Sequence, residues 1–388
     1  MKIVFISNYF NHHQKPFCEE MYKQLGTDFV FVATAEMGEE RKKMGYGESN
    51  LPNYVLLAHE GEQQRNEALK LVYDADVVIA GSAPNEFLQN RIRAGKLLFR
   101  YSERPFKKKI SFLKRIYHYF GFHQRNFWKK NIYMLCSSAY AAKDYASVGM
   151  YKGKTYKWGY FPEAKTHDID ELLKNKKKNT LLWCGRFLDW KHPDDAIKVA
   201  KKLKENGYDF RLNMIGTGVM EDELKALVKK YDLDDVVQFL GAMPPEQVRS
   251  YMEEAGIYLF TSDRQEGWGA VLNESMNSGC AVVASHEIGA VPFLMIDGEN
   301  GYIYKSKNVE QLYQRVKHFL DSSADQNRMG KAAYTTIVDE WNAKIATCNF
   351  LELLQALSPF SESNFVKKSG PCSKAYVIHE NWAKESIK

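Results

Sequence analysis

The sequence predicts an α/β protein made of two Rossmann-like, doubly wound domains that face each other across a cleft. Strand-like apolar runs alternate with helix-like segments in two separate series, which is typical of parallel sheets covered by helices. A polar, charge-rich segment separates the two series, and 388 residues leave room for two cores. Ligands of such sheets bind beyond the carboxyl ends of the strands, so the residues after each strand are the first candidates for a site.

The first predicted domain covers residues 1–150. Its predicted strands are 2–6, 29–34, 54–58, 76–80, 97–101 and 132–137, and its predicted helices are 17–25, 67–73, 85–94 and 139–148. Segments 8–14, 81–82 and 102–104 follow strands, so a parallel sheet places them on one rim.

Residues 151–179 are predicted to be the interdomain connector because they hold glycine, Pro162 and the lysine-rich run 174–178. The second predicted domain covers residues 180–340. Its strands are predicted at 180–184, 210–215, 236–240, 257–260 and 281–284, and its helices at 193–206, 219–231, 245–254, 270–278, 291–296, 308–320 and 324–338. Residues 341–388 are predicted to form a helix and tail that pack back on the first domain, with an edge strand at 375–378.

The composition is that of a globular protein, with 45% hydrophobic and 26% charged residues. No apolar run reaches the roughly 18 residues that span a bilayer, and the N-terminus lacks the pattern of a signal peptide, so a cytoplasmic location is expected. The cysteines are scattered through apolar runs, which favours buried free thiols over disulfides or a zinc site. They are Cys18, Cys136, Cys184, Cys280, Cys348 and Cys372.

Positive charge is concentrated in the first half of the chain. Residues 1–165 hold 26 Lys and Arg against 16 Asp and Glu, whereas the remainder holds 28 against 32. Within the first half, the stretch 104–130 has nine Lys and Arg, eight aromatic residues and no acidic residue. Such a stretch can bind an anionic membrane surface or a nucleic acid, or it can be a solvated basic face whose aromatic residues are core. We favour a membrane surface and expect no nucleic acid as partner.

The stretch 264–274 places Glu266 in a glycine-containing turn after an apolar strand and Glu274 in the following helix. Glycines let the backbone approach a ligand closely, and carboxylates accept hydrogen bonds from sugar hydroxyls. An amphipathic helix with two solvated glutamates is an equally good interpretation of this spacing.

A second motif follows the first strand of the second domain. Arg186 and Lys191 lie after that strand and before a helix, where both side chains could reach one diphosphate. The alternative is a pair of solvated basic residues. Gly216 and Gly218 follow the next strand, and a tight turn explains this weak motif fully.

These motifs together resemble the retaining glycosyltransferases of family 4, which have the GT-B fold. The resemblance covers about residues 180–304. It is carried by Gly185-Arg186 with Lys191, Ile215-Gly216-Thr217-Gly218, Phe239-Leu240-Gly241 with Pro244, Glu266-Gly267-Trp268-Gly269 with Glu274, Gly279, Pro292, and Asp297-Gly298-Glu299-Asn300-Gly301.

The resemblance implies transfer of a hexosyl or N-acetylhexosaminyl group with retention, from a UDP- or GDP-linked donor and without a bound metal or other cofactor. Arg186 and Lys191 are expected to bind the donor diphosphate, Glu266 the donor sugar and Glu274 the ribose. The residues expected to line the nucleotide-sugar site are Gly185, Gly216, Gly241, Gly267, Trp268, Gly269, Ala270, Val271, Leu272 and Glu274. The expected acceptor is a glycan or a lipid-linked molecule.

One segment departs from the family pattern. Where many members have a glycine-rich loop after the first strand, this chain has the glycine-free residues 8–14. We expect side chains to replace the backbone contacts there, with His13 as a catalytic candidate and with further acceptor-side candidates at Asn11, His12, Gln14, Glu103 and Arg104. The alternatives are that 8–14 caps the helix at Pro16 and that Glu103 and Arg104 form a local ion pair.

The leading hypothesis is therefore a glycosyltransferase of surface polysaccharide or glycolipid assembly, peripheral on the inner face of the membrane. A GT-B nucleotide-sugar epimerase is an alternative. A non-catalytic nucleic-acid or membrane-binding protein built around 104–130 is another, but it leaves Arg186, Lys191, Glu266 and Glu274 unexplained.

Overall fold

The computed structural model describes residues 1–38, 51–108, 110–357, 367–378 and 382–383. The chain divides into two compact units. The first unit holds Met1–Glu163 and Ala343–Ile378, and the second holds Ala164–Asn342 with the described part of the last ten residues. Lys109, in the basic stretch, lies outside the described residues.

The first unit contains a parallel sheet of seven strands in the order β3-β2-β1-β4-β5-β6-β7. The strands are β1 (Ile3–Ser7), β2 (Phe29–Ala33), β3 (Val55–Leu57), β4 (Val77–Ala80), β5 (Leu98–Ser102), β6 (Ile132–Cys136) and β7 (Thr155–Lys157). All residues of β1 and β4 are buried, because helices cover both faces of the sheet. This burial explains why the central strands appear in the sequence as continuous apolar runs.

The described helices of the first unit are Lys15–Leu25, Glu62–Asp74, Gln89–Arg93, Phe112–Arg125, Ala141–Ala146 and Ala343–Ala356. Pro16 lies in the first turn of the first of these helices, where its missing N–H costs no hydrogen bond. The helix Phe112–Arg125 was not predicted from the sequence, since its residues were interpreted only as a basic stretch.

The C-terminal helix Ala343–Ala356 lies in the first unit, where the ring of Phe350 packs 5.1 Å from that of Phe99. The chain that follows adds backbone hydrogen bonds to the edge strand β7. Lys157 N donates to Ser373 O at 2.7 Å, and Ala375 N donates to Thr155 O at 3.0 Å. The described end of the chain thus pairs antiparallel with the sheet edge, slightly earlier than the predicted 375–378.

The second unit contains a parallel sheet of six strands in the order β10-β9-β8-β11-β12-β13. The strands are β8 (Lys177–Cys184), β9 (Arg211–Ile215), β10 (Val237–Gly241), β11 (Ala255–Phe260), β12 (Ala281–Ser285) and β13 (Tyr302–Tyr304). The helices are Ile169–Asn175, Pro193–Glu205, Glu221–Lys230, Pro245–Glu254, Val271–Asn277, Val291–Leu294, Val309–Asp321 and Ser323–Asp339. The α/β class with two doubly wound sheets is therefore confirmed.

The segment 151–179 contains regular structure on both sides of the boundary between the units. Strand β7 lies within it on the first-unit side, and the helix Ile169–Asn175 lies within it on the second-unit side. Strands β7 and β13 were not predicted from the sequence, because each is only three residues long.

Each sheet has one point where the strand order reverses. This point lies between β1 and β4 in the first unit and between β8 and β11 in the second. Loops that leave the two strands in opposite directions create a crevice at such a point, and ligands of doubly wound sheets bind there. The residues that follow β8 and β11 are therefore the first place to look for a site.

All six cysteines are free. Cys18, Cys136, Cys280 and Cys372 are buried, and Cys184 and Cys348 are half-buried. The prediction of free thiols in place of disulfides is confirmed.

Candidate functional site

The candidate site of the second unit is formed by the loops that follow β8 and β11 and by the helix Val271–Asn277. Gly185 and Arg186 come directly after β8, and a short 3-10 turn, Asp189–Lys191, leads into the next helix. Glu266 lies in the loop after β11, and Glu274 lies in the first turn of the helix that follows it. The structure thus brings two separate sequence motifs to the reversal point of the sheet.

The two loops are joined by an ion pair. Lys191 Nζ donates to Glu266 Oε2 at 2.6 Å, and both side chains are only 13% exposed. Ser262 Oγ donates to the same carboxylate oxygen at 3.0 Å. The Lys191 ammonium also lies 4.6 Å from the centre of the Trp190 ring. This arrangement fixes a cation and a carboxylate side by side, and both described contacts of the carboxylate use Oε2.

Hydrogen bonds behind the pair hold both loops in place. Trp183 Nε1 donates to Thr261 Oγ1 at 2.8 Å, and Thr261 Oγ1 in turn donates to the backbone oxygen of Lys191 at 2.6 Å. Asp263 N donates to Trp190 O at 2.9 Å. The position of Lys191 is therefore set by the β11 loop as well as by its own strand.

A histidine and an aspartate add a second side-chain link between the loops. His192 Nε2 lies 3.4 Å from Asp263 Oδ2. Burial by itself would lower the pKa of His192, but the hydrogen bond to Asp263 and the negative charges of Asp195 and Asp263 together outweigh it, so that pKa is raised. Burial would likewise raise the pKa of Asp263, whereas the bonds from His192 and from Gln265 N lower it. Each group thus favours the charged form of the other.

Glu274 occupies a very different environment from Glu266. Burial raises the pKa of Glu274 to about 7, and the positive charge of Arg249 opposes this shift only in part. The thiol of Cys184 has a pKa raised to about 12, first by burial and then by the charge of Glu274. Glu274 is therefore a half-buried carboxyl group whose pKa is raised towards neutral pH.

Arg186 is exposed, in contrast to Lys191 and Glu266. It lies one residue beyond Gly185, at the carboxyl end of β8. An exposed guanidinium in this position can move to meet an anionic ligand, and its planar fork suits phosphate oxygens.

Two glycines of the neighbouring loop are required by close packing of backbone against backbone. At Gly216 φ is +133°, and a Cβ atom would lie 1.9 Å from Gly185 O. At Gly218 a Cβ atom would lie 2.5 Å from Phe187 O. Phe187 N donates to Thr217 O at 2.8 Å, so the loops after β8 and β9 are joined directly. These glycines therefore shape the loop that carries Arg186.

The remaining glycines and apolar residues of the motif differ in their surroundings. Gly241 has φ +71° with open space around it, whereas a Cβ atom on Gly269 would meet the Phe260 ring at 2.5 Å. Gly267, Ala270 and Leu272 are buried, and Val271 is half-buried.

The side chain of Trp268 is part of the core of the second unit. It is fully buried, and its Nε1 donates to Asn273 Oδ1 at 2.9 Å. Its ring centre lies 5.9 Å from that of Trp341. The side chain of Trp268 therefore packs inside the second unit, which leaves its backbone as the part that could face a ligand.

In the first unit, the loop after β1 is a hydrogen-bonded turn that leads into the helix Lys15–Leu25. Gln14 N and Lys15 N both donate to Asn11 O, and the Asn11 side chain accepts from His13 N at 3.0 Å and donates to Gln14 Oε1 at 3.2 Å. Asn11 and the buried Gln14 thus bond within the turn itself, and the Gln14 side chain makes no capping hydrogen bond to the helix.

The histidines of this loop lie beside other aromatic groups. The rings of His12 and His13 are 3.7 Å apart, and His13 stacks on Tyr160 at 5.6 Å with an interplanar angle of 5°. Tyr160 Oη donates to Glu103 Oε1 at 2.7 Å, and Glu103 Oε2 pairs with Lys107 Nζ at 3.0 Å. A flat aromatic surface and a carboxylate beside it are suited to binding a sugar ring.

Arg104, another acceptor-side candidate, pairs with Asp144, whereas the alternative from the sequence placed it in a local ion pair with Glu103. Its Nε and Nη2 atoms each lie 3.2 Å from a carboxylate oxygen of Asp144, and both side chains are buried. The guanidinium also lies 4.9 Å from the centre of the Tyr140 ring. A bidentate buried pair of this kind holds the loop after β5 to the helix Ala141–Ala146, so Arg104 is a structural residue.

Among the described residues, no group of three or more His, Cys, Asp and Glu side chains is arranged to hold a metal ion. No described helix is both long enough and apolar enough to cross a bilayer.

Comparison with known proteins shows that the second unit is similar to glycosyltransferases. Residues 164–336 match the model of the family described as Glycosyl transferases group 1. Over 168 residues the chain is 29% identical to the putative colanic acid biosynthesis glycosyltransferase WcaL of Escherichia coli, covering 42% of this chain and 41% of WcaL. It is also 29% identical over 183 residues to the amylovoran biosynthesis glycosyltransferase AmsK of Erwinia amylovora, covering 46% of this chain and 45% of AmsK. These matches span less than half the length of either relative.

Similarity to solved structures extends over both units. The crystal structure of HepE from Anabaena in complex with UDP has a TM-score of 0.70 to this chain at 16% identity, covering 92% of this chain and all of that one. At this identity the likeness establishes the fold. The GT-B fold class is therefore confirmed, as is the resemblance of the second unit to group 1 glycosyltransferases.

Several residues of the site were not predicted from the sequence. Thr261, Ser262 and Asp263 follow β11 directly, so the rule that ligands gather at strand ends could have found them. Tyr160 had no such signal, because it follows the three-residue strand β7 in a segment interpreted as a connector. Arg249 comes close to Glu274 only through the packing of separate helices.

Proposed function

We propose that this protein is a retaining glycosyltransferase that uses a nucleotide-sugar donor and builds a surface polysaccharide or glycolipid. The observation that carries the proposal is the Lys191–Glu266 pair at the reversal point of the second sheet. A cation and a carboxylate side by side, where doubly wound sheets bind nucleotides, support binding of a diphosphate and of a sugar hydroxyl there. The family match of residues 164–336 and the names of WcaL and AmsK support the same class of reaction.

In this proposal Arg186 and Lys191 bind the donor diphosphate and balance the charge that develops on it as the glycosidic bond breaks. They do so in place of a divalent metal ion. Lys191 is already positioned by the β11 loop, so little reorganisation is needed when the diphosphate arrives. Fixed positive groups aimed at a developing negative charge are often the largest single contribution to catalysis.

The two glutamates have separate binding roles. Glu266 accepts from Lys191 and Ser262 through Oε2, which leaves Oε1 for a hydroxyl of the donor sugar. Glu274 accepts hydrogen bonds from the ribose hydroxyls of the nucleotide. We favour a UDP-linked hexose or N-acetylhexosamine over a GDP-linked donor, because the structurally similar HepE was crystallised with UDP.

The acceptor, a glycan or a lipid-linked sugar, is proposed to bind the first unit. Tyr160 supplies a flat surface beside His13, and Glu103 accepts from an acceptor hydroxyl. His13 is proposed to take the proton of the attacking hydroxyl, a role that suits an imidazole near neutral pH. Asn11 and Gln14 support this role indirectly, since they fix the turn that carries His13.

A donor panel tests the proposal. The full chain is mixed in turn with UDP-glucose, UDP-galactose, UDP-N-acetylglucosamine and GDP-mannose, and its melting temperature is measured. We expect one donor to raise the melting temperature and to be hydrolysed slowly to nucleoside diphosphate and free sugar. Glu274→Ala should lose both effects, whereas Glu223→Ala, a change at an exposed helical glutamate of the same unit, should keep them.

Failure of every donor to bind or turn over would reject the proposal. Conversion of the donor into an epimeric nucleotide sugar, without release of diphosphate, would replace it with an epimerase.

A further inference from the structure

The helix Phe112–Arg125, called here the basic helix, presents its apolar side to solvent. Five large apolar side chains of this helix are exposed by 41–77%. They are Phe112, Leu113, Ile116, Tyr117 and Phe120. Their spacing of one, four, five and eight residues places all five on one side of an α-helix.

The opposite side of the basic helix faces the protein. The ring of His118 lies 5.1 Å from that of Phe106, and the ring of Phe122 lies 5.6 Å from that of Tyr145. No residue of the helix is buried. A surface helix of a globular protein normally buries its apolar side, so this orientation is the reverse of the usual one. An exposed apolar patch of this kind marks a surface that is covered when the protein functions.

Basic residues surround the apolar patch. The described residues Lys114, Arg115, Arg125, Lys129 and Lys130 are exposed, and the stretch 104–130 contains no acidic residue. Trp128 is 55% exposed just beyond the helix, with its ring stacked 4.6 Å from that of His123. Tryptophan in such a position is typical of the boundary between lipid tails and headgroups.

We propose that the basic helix lies in the plane of an anionic lipid surface, with Phe112, Leu113 and Tyr117 inserted among the lipids. This inference goes beyond the proposed transfer reaction and uses none of its residues. The apolar side chains gain by leaving water, and the surrounding lysines and arginines gain by approaching acidic headgroups.

Charge and shape favour this partner over two others. A second copy of the chain would bring two acid-free basic stretches together, and their like charges would repel. A nucleic acid would bind through the basic side chains and would leave Leu113 and Phe112, which are 77% and 76% exposed, in contact with water or charged phosphates. An anionic lipid surface satisfies both the apolar side and the charges.

Sedimentation with lipid vesicles tests the inference. The full chain is mixed with vesicles of phosphatidylcholine alone or of phosphatidylcholine and phosphatidylglycerol in equal parts, without any nucleotide sugar. We expect binding to the anionic vesicles only, and weakening of that binding as salt is added. The triple variant Phe112→Ser, Leu113→Ser, Tyr117→Ser should lose at least about tenfold in affinity, as should Lys114→Glu with Arg125→Glu and Lys129→Glu.

A matched control replaces exposed apolar residues elsewhere. The variant Val219→Ser, Ile296→Ser, Tyr376→Ser removes side chains that are 88%, 58% and 76% exposed, and it should bind vesicles as the unchanged protein does. Equal vesicle binding by the serine variant of the basic helix would overturn the inference. Absence of binding of the unchanged protein to anionic vesicles would also overturn it. Loss of RNA binding or of self-association in the serine variant, without any vesicle binding by the unchanged protein, would point to one of those other partners. Because donor turnover is not measured here, a failure would leave the proposed transfer reaction standing.

Discussion

The ammonium of Lys191 lies 2.6 Å from the carboxylate of Glu266, and each side chain is 13% exposed. The pair joins the loop after β8 to the loop after β11, 75 residues further along the chain. Two opposite charges held this far from water stabilise each other, and removal of one leaves the other poorly solvated.

A double-mutant cycle should therefore show strong coupling. We expect Lys191→Met and Glu266→Gln each to lower the free energy of unfolding by about 1–3 kcal/mol. The double variant should lose clearly less than the sum, because no unpaired charge remains. Urea unfolding of the full chain measures all three values. Additive losses would show that the two side chains do not interact in solution.

Glu274 should make stability depend on pH. Because burial raises its pKa from 4.5 to about 7, the folded protein disfavours the ionised carboxylate. Its contribution to stability is therefore fully present below about pH 4.5 and is lost as the pH rises through 7, by on the order of 3 kcal/mol. Because neutral glutamine resembles the protonated acid, Glu274→Gln should melt above the unchanged protein at about pH 8, and this difference should disappear as the pH falls to about 5. A difference that does not vary with pH would contradict this account of Glu274.

Gly216 should tolerate no side chain. A Cβ atom there would lie 1.9 Å from Gly185 O, at a φ of +133° that other residues rarely adopt. We expect Gly216→Ala to lower the free energy of unfolding by more than about 3 kcal/mol. Gly241→Ala is the matched control, since its φ is +71° but no atom lies within 4 Å, and it should cost only about 1 kcal/mol. Similar losses in the two variants would argue against the close contact of the loops after β8 and β9.

Substitution of two arginines should affect different properties, stability for Arg104 and donor turnover for Arg186. Arg104→Met leaves Asp144 buried and unpaired, so the first unit should lose about 3–5 kcal/mol of stability. Arg186→Met changes an exposed side chain, so its stability should stay within about 0.5 kcal/mol of that of the unchanged protein. Its donor turnover, however, should fall by about a hundredfold or more, as for loss of one transition-state donor. Thermal unfolding and diphosphate release, measured on both variants, test this contrast. Full turnover by Arg186→Met would show that Arg186 does not act in the site.

The parts of the site that follow strands could be predicted from the sequence. Lys191 and Glu266 stand just after apolar runs, and the strand order of a doubly wound sheet brings such positions together. The partner of Arg104 could not be predicted, because Asp144 is 40 residues away on a helix whose packing no local sequence pattern reveals. The side of the basic helix that faces solvent was equally hidden. The pattern of Phe112, Ile116 and Phe120 is the same for a helix packed on a core and for one turned outward, and only tertiary packing distinguishes them.

The most direct test of the account is the turnover of a nucleotide sugar in the presence of a metal chelator. Diphosphate release and the anomeric configuration of the freed sugar are followed together by nuclear magnetic resonance. We expect slow release of diphosphate, with an α-sugar formed first from an α-linked donor. In Lys191→Met the rate of this release should fall at least about a hundredfold. Release that Lys191→Met leaves unchanged, a β-sugar as first product, or no release from any nucleotide sugar would contradict it.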